Sequence, residues 1–497
     1  MTATVVLTGG ALSIDDVVAV ARYDALVAIA PEADRRMLHS RAIVDRLAAG
    51  DRPAYGISTG FGALATRHIS VERRETLQRS LVRSHAAGIG PPVEREVVRA
   101  LMLLRLRTLC SGHTGVRPLV AHTLAALLNA GITPEVPEYG SLGCSGDLAP
   151  LAHVALALIG EGPAAGELTA AGITPVTLQA KEGLALINGT DGMLGQLCLA
   201  LHDTATVLDT ADVTAALSIE ALLGTDQVFR ESLMALRPHP GQAVSAAHIA
   251  RVLSGSPIVA SHREGDVRVQ DAYSLRCAPQ VNGAARDTAS FAAQVADREL
   301  ASAIDNPVVL DSGEVSSNGN FHGAPLGYVL DFLAIALADV SSMSERRTDR
   351  LLDPLRNHGL PAFLALDPGV DSGLMIAQYT QAALVSENKR LAAPASVDSI
   401  PSSAMQEDHV SMGWAAARKL RRVIDNAIRV VAIEYMASTR ALEMRSPVQP
   451  SPISARLIAL LRRDVAGLGP DRHLAPELAA AEVLVHRGDV AAMALRS

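Results

Sequence analysis

The stretch "EYGSLGCSGDLAPLAHVALALIG" (residues 138–160) has the most unusual residue order in the chain. Cys144-Ser145-Gly146 stand in a loop with two further glycines, and Asp147 leads straight into an apolar run that reads as a buried helix. Glycine accepts left-handed dihedrals and close backbone approach, so such a loop reaches geometries closed to other residues. A serine held there is a candidate for backbone chemistry. The plain alternative is a turn with Asp147 as helix N-cap.

Other segments place reactive types in similar loops. "PAYGISTGFGAL" (53–64) presents Tyr55 and Phe61 among glycines. Both could simply anchor the loop by burial, but a tyrosine with a lowered pKa also transfers protons. In "SLVRSHAAGIG" (80–90), His85 has small neighbours that leave room around the imidazole, although a lone histidine is more often structural. "LALINGTDG" (184–192) closes an apolar run with Asn188-Gly189, ordinarily a turn. "VRVQDAYSLRCAPQ" (267–280) concentrates Gln270, Asp271, Tyr273, Ser274 and Arg276. It reads as an edge strand or as a holder for a guanidinium fork that suits a carboxylate. "SAIDNPVVL" and "SSNGNFHGAP" add Asn306, Asn320, Phe321 and His322, and "SSAMQEDHVSMGW" (402–414) adds Gln406, Glu407, Asp408 and His409. This last cluster could equally open a helix. It lacks metal-ligand spacing, so no metal site is expected.

The elements that must position these loops are mostly helices. "SIDDVVAVARYDALVAIA" (13–30) reads as a helix capped by Ser13, and the segments 94–110 and 117–131 read as amphipathic to buried helices. Long helical patterns occupy 190–224, 326–352 and 411–444. Strand-like runs are few: "ATVVLT" near the start and "PVTL" at 175–178. The expected fold is mainly α, with a loop-rich N-terminal region (1–197) and a long central helical bundle (198–497).

Of the 497 residues, 49% are hydrophobic and only 3% aromatic, so Leu, Ala, Val and Ile must build the core. The net charge of −8 carries no long basic run, which argues against a nucleic-acid partner. No uninterrupted apolar stretch approaches the ~18 residues of a membrane span, so no membrane association is expected. Four cysteines without a CxxC pair, and an opening that soon meets Asp15 and Asp16, predict a reduced, cytoplasmic protein. A mean hydropathy of +0.22 predicts an oligomer that covers apolar helix faces.

Taken together, "GSLGCSGDLAPLAH", "YGISTGFG", "SHAAGIG", "NGT", "QDAYSLRC", "DNP", "GNFHG", "SENK" and "QEDHVSMG" resemble the signature segments of the aromatic amino acid ammonia-lyases, in order over nearly the whole chain. The resemblance implies a helical homotetramer with active sites shared between subunits. It also implies that Cys144-Ser145-Gly146 cyclise into a methylidene-imidazolone (MIO) electrophile with no external cofactor. Ring closure needs the Gly146 nitrogen on the Cys144 carbonyl, and Ser145 must lose water. Cys144 replaces the usual alanine without removing a reacting atom. By the same matching, Tyr55 is the base that removes the substrate β-proton, with Tyr273 also in the catalytic set. Arg276 holds the substrate carboxylate, Asn188 and Gln270 position the MIO and the amine, and Phe321 lines the pocket.

Ser84-His85 and Glu407 match members of the family that act on histidine. A carboxylate and an imidazole suit a substrate imidazole and would be left unpaired by a phenyl ring. The expected reaction is L-histidine to trans-urocanate and ammonia, the first step of histidine degradation. A tyrosine or phenylalanine lyase, or a 2,3-aminomutase, is the alternative; a non-catalytic helical scaffold is the distant one.

Overall fold

The computed structural model describes residues 4–50, 53–60, 64 and 66–496; Phe61 lies outside the described residues. The chain forms two compact units. The first comprises 1–199, 293–331 and 394–418, and the second 200–292, 332–393 and 419–497. Loop segments more than a hundred residues apart in the chain therefore belong to one unit with the N-terminal residues.

In the first unit, strands Thr4–Leu7 and Leu26–Ile29 pair in parallel. The helix between them, Ile14–Tyr23, starts with a full capping box: the Ser13 hydroxyl accepts from the Asp16 N–H, and the Asp16 carboxylate accepts from the Ser13 N–H. The helix read across 13–30 ends early, because Asp24 turns left-handed (φ 54°) and the β-branched residues beyond it pair with the first strand. No strand forms at 175–178, which runs as a loop.

Helix Arg95–Cys110 is buried throughout from Val97 to Cys110, arginines included. The guanidiniums compensate by donating to main-chain carbonyls: Arg99 to Val20 and Leu128, Arg105 to Asn188 (2.6 Å) and Ile304 (2.8 Å). A buried cation without such partners would be strongly destabilising. Helix Pro118–Asn129 packs beside it and stops at Gly131 (φ 73°), as the glycine at its end predicts.

The second unit is helical. The unit boundary falls within four long helices, Asp191–Ala221, Ala278–Ala301, Ala324–Leu352 and Gly413–Glu443. Here the buried Glu434 carboxylate accepts from Arg347, Thr214 and Ser218, which ties three of these helices together. Most of the buried apolar side chains here are Leu, Ala, Val and Ile, each large aliphatic side chain contributing about 1.5–3 kcal/mol on full burial. Ala324–Leu352 is long and apolar enough to pass for a membrane-crossing helix. However, 61% of its most apolar window is buried within the protein, as in a core helix.

Two segments differ from their sequence reading. Residues 264–272 form a loop instead of an edge strand, with Val267 and Val269 both 94% exposed. The acids at 407–408 precede the first turn of Gly413–Glu443 by several residues, in a segment where Ser403, Ala404, Met405 and Met412 all take positive φ.

Candidate active site

After strand Pro137–Tyr139 the chain enters the glycine loop. Gly143 has φ 65°, and a Cβ there would lie 2.2 Å from the Ser411 hydroxyl. Gly146 has φ 74°, and a Cβ would lie 2.0 Å from the Gly189 carbonyl oxygen. The two strands of backbone meet as a parallel bridge, Gly146 against Gly189, and the Asp147 N–H donates to the Gly189 carbonyl at 2.7 Å. Glycine is required at both positions.

Asp147 does not cap the helix it precedes, Leu148–Leu158. Its buried carboxylate accepts instead from the Ser141 hydroxyl (2.8 Å) and from the Met193 N–H (2.9 Å) in the first turn of Asp191–Ala221. Burial pushes its pKa up to about 7 against the pull of these donors. A raised carboxyl pKa favours the folded state at pH below the unfolded value of about 3.9; that contribution fades as pH rises through about 7.

Replacing Gly146 by alanine is therefore expected to lower stability. The backbone conformation alone accounts for at least about 1–2 kcal/mol, and the clash with Gly189 adds to it. A denaturant midpoint equal to that of the wild type would refute this reading.

A cavity of about 530 Å³ opens in front of this loop. Tyr55, Cys144, Ser145, Phe321 and Glu407 line it, together with Asn306, Ser317, Asn318, His322, Gln406, Asp408 and His409. Tyr55 is carried by a turn whose Ile57 is fully buried against Ile43, Val44, Ala180 and Val309. Phe321 follows a polar knot in which the Asn306 carboxamide oxygen accepts from the Ser317 hydroxyl and the Asn318 N–H. The 402–412 segment is sewn onto the glycine loop. The Ser411 hydroxyl donates to the Gly143 carbonyl at 2.8 Å and the Met412 N–H to the Leu142 carbonyl at 2.9 Å.

Within the cavity the Ser145 hydroxyl faces Glu407 at 3.4 Å, and the other Glu407 oxygen accepts from Ser402 at 3.0 Å. Burial, with the Glu407 charge adding to it, pushes the Cys144 thiol up to about 12, so it stays protonated at neutral pH. His85 ends helix Arg74–His85. Burial lowers its pKa, while the Leu81 carbonyl and the Glu407 carboxylate oppose that shift. Its Nδ1 lies 2.9 Å from the Leu81 carbonyl oxygen, which fixes the proton there and leaves Nε2 as the acceptor of the neutral ring. Asn188 is buried behind the loop. Arg105 holds its carbonyl, and its carboxamide oxygen has no partner among the described residues.

Neither His85 nor Asn188 is among the residues that line the cavity, and nor are Gln270, Tyr273 and Arg276, which belong to the second unit. Gln270 is exposed and Tyr273 is 70% exposed. The Arg276 guanidinium stacks 4.5 Å above the Tyr273 ring, and its buried Nε has no partner among the described residues. Sequence reasoning missed Arg105, whose only signal was a charge inside an apolar helix. It also missed the pairing of His322 with His409, whose rings stack at 5.4 Å with Nε2 and Nδ1 3.3 Å apart.

The family described as "Aromatic amino acid lyase" matches residues 12–463. The histidine ammonia-lyase of Streptomyces avermitilis is 65% identical over 98% of this chain and 97% of its own length. That of Symbiobacterium thermophilum is 50% identical over 97% of both. Among solved structures, tyrosine aminomutase from Streptomyces globisporus superposes with a TM-score of 0.93 at 38% identity, covering 98% of this chain and 97% of that one. Histidine ammonia-lyase from Trypanosoma cruzi superposes with a TM-score of 0.91 at 37% identity, covering 99% and 95%.

Proposed function

Because the chain belongs to the aromatic amino acid lyase family, we infer that it eliminates ammonia from L-histidine to give trans-urocanate. The observation that carries this reading is the Glu407 carboxylate beside Ser145, with His85 close enough to sense its charge. Glu407 accepts an N–H from the substrate imidazole, and His85 Nε2 offers a second acceptor. A phenyl ring would leave both desolvated and unpaired.

The residues at 143–147 fit an MIO. Gly146 occupies a cradle that any Cβ would fill, Ser145 has a hydroxyl to lose, and the Asn188 carboxamide oxygen is an acceptor with no partner among the described residues. Such a ring supplies an electrophile that turns the substrate amine into a better leaving group. Helix Leu148–Leu158 directs its positive end at the loop. Tyr55 takes the β-proton, Phe321 packs the substrate side chain, and Arg105 steadies Asn188 from behind. Arg276 grips the carboxylate, with Tyr273 and Gln270 beside it. In support of a homotetramer with shared sites, these three residues sit in a segment with Val267 and Val269 almost fully exposed in the single chain. A cytoplasmic enzyme accords with four free cysteines.

Tyrosine is the second substrate to consider, since a phenol O–H could also reach Glu407 and a tyrosine aminomutase shares the fold. Assaying His, Tyr and Phe with product identification separates the readings. Histidine is expected to be preferred, and Glu407→Gln to lower kcat/KM for histidine about 10- to 100-fold, the effect of losing one charged hydrogen bond. Preference for Tyr or Phe, or a β-amino acid product, would overturn the substrate reading.

A further inference from the structure

The C-terminal part of the second unit holds a hollow of about 570 Å³ between helices Pro452–Leu461, Ala475–His486 and Asp489–Leu495. Arg456, Arg463, Arg487 and Arg496 converge on it from four separate points of the chain, with Asp464 and Asp489. Like charges brought together repel, so such a cluster needs compensation. Elsewhere in this unit arginines obtain it from carboxylates: Arg462 from Glu443, Arg472 from Glu477, Arg286 from Asp212 and Asp209. In the hollow no arginine comes within ion-pair distance of either aspartate, and none of the four makes a side-chain hydrogen bond among the described residues.

Three of the four arginines stand at helix C-termini. Arg487 and Arg496 are the C-cap residues of their helices, and Arg463 follows the C-cap of the third. Helix C-termini attract cations, each carrying a partial charge of about −0.5. That field permits the cluster and leaves the planar guanidinium forks undirected. Four forks present far more donors than two carboxylates accept, and paired forks match phosphate oxygens bidentately. The floor is different in kind: Leu460 (5% exposed) and Leu484 (6%) are buried beneath the rim, with Met493 beside them. The hollow is also larger than a single phosphate needs.

We propose that this hollow is a binding site for a polyphosphate group, free or borne by a nucleotide. The site lies outside the ammonia-lyase cavity and depends on nothing in the reading of that cavity.

The test is calorimetric titration of the full-length protein, at low salt and without divalent metal, with ATP, tripolyphosphate and adenosine. ATP and tripolyphosphate are expected to bind once per chain, more weakly as salt is added, and adenosine not at all. Tighter binding of ATP identifies a nucleotide as the source, through its ring on the Leu460–Leu484 floor; equal binding identifies inorganic polyphosphate. The double variant Arg463→Gln/Arg487→Gln should weaken both anions at least about tenfold, as expected for lost charge-assisted pairs, while histidine turnover is unchanged. No binding of either anion at low salt, or equal binding by the variant, would overturn the proposal.

Discussion

Ser145→Ala is expected to fold as the wild type does and to turn over L-histidine at least about 10³-fold more slowly, a loss of about 4 kcal/mol of transition-state stabilisation. The fold should survive because the Ser145 hydroxyl makes one long contact, 3.4 Å to Glu407, on the wall of an open cavity. Removing it leaves no buried donor stranded and creates no void in the core. The chemistry should not survive, since alanine has no hydroxyl to lose and the loop then keeps an ordinary backbone. Intact mass separates the two effects: the wild type should be lighter than its sequence by two water molecules, and the variant should not show that loss. A variant of full activity would refute the proposed use of residues 144–146.

Tyr55→Phe is expected to lower kcat by about 10²- to 10⁴-fold, the usual worth of a positioned proton-transfer group, with KM little changed. The cavity keeps the same aromatic surface, so binding contacts persist, and only the phenolic oxygen goes. Its turn is anchored through the fully buried Ile57, which the substitution does not touch, so the loop should stay in place. A raised KM with unchanged kcat would recast Tyr55 as a binding residue.

How much of this was readable beforehand varied with the range of the forces involved. Helices 95–110, 118–129, 191–221, 324–352 and 413–443 follow from local periodicity and end close to where the pattern ends. The 13–30 segment misled because the pairing of residues 26–29 with 4–7 is a non-local preference that overrides a helical pattern. At the site, residue types were legible as a set of loop motifs. The depth of those loops was not. Nothing in "LRLRTLC" announces that Arg105 would donate to the Asn188 and Ile304 carbonyls, 83 and 199 residues away. Likewise, alternation in "VRVQDAY" suggested a strand, whereas the segment runs as a loop with both valines exposed.

The clasp between 141–147 and 189–193 has a consequence in time. Gly146 lies against Gly189, and Asp147 reaches Met193, 46 residues further along. The loop therefore draws its partners from residues made later in the chain, at and just before the first turn of the helix that begins at Asp191. For the proposed cyclisation of the tripeptide this sets an order, ring closure after docking, and the lag between a folded chain and a modified one is expected to measure how firmly that distant helix holds the loop.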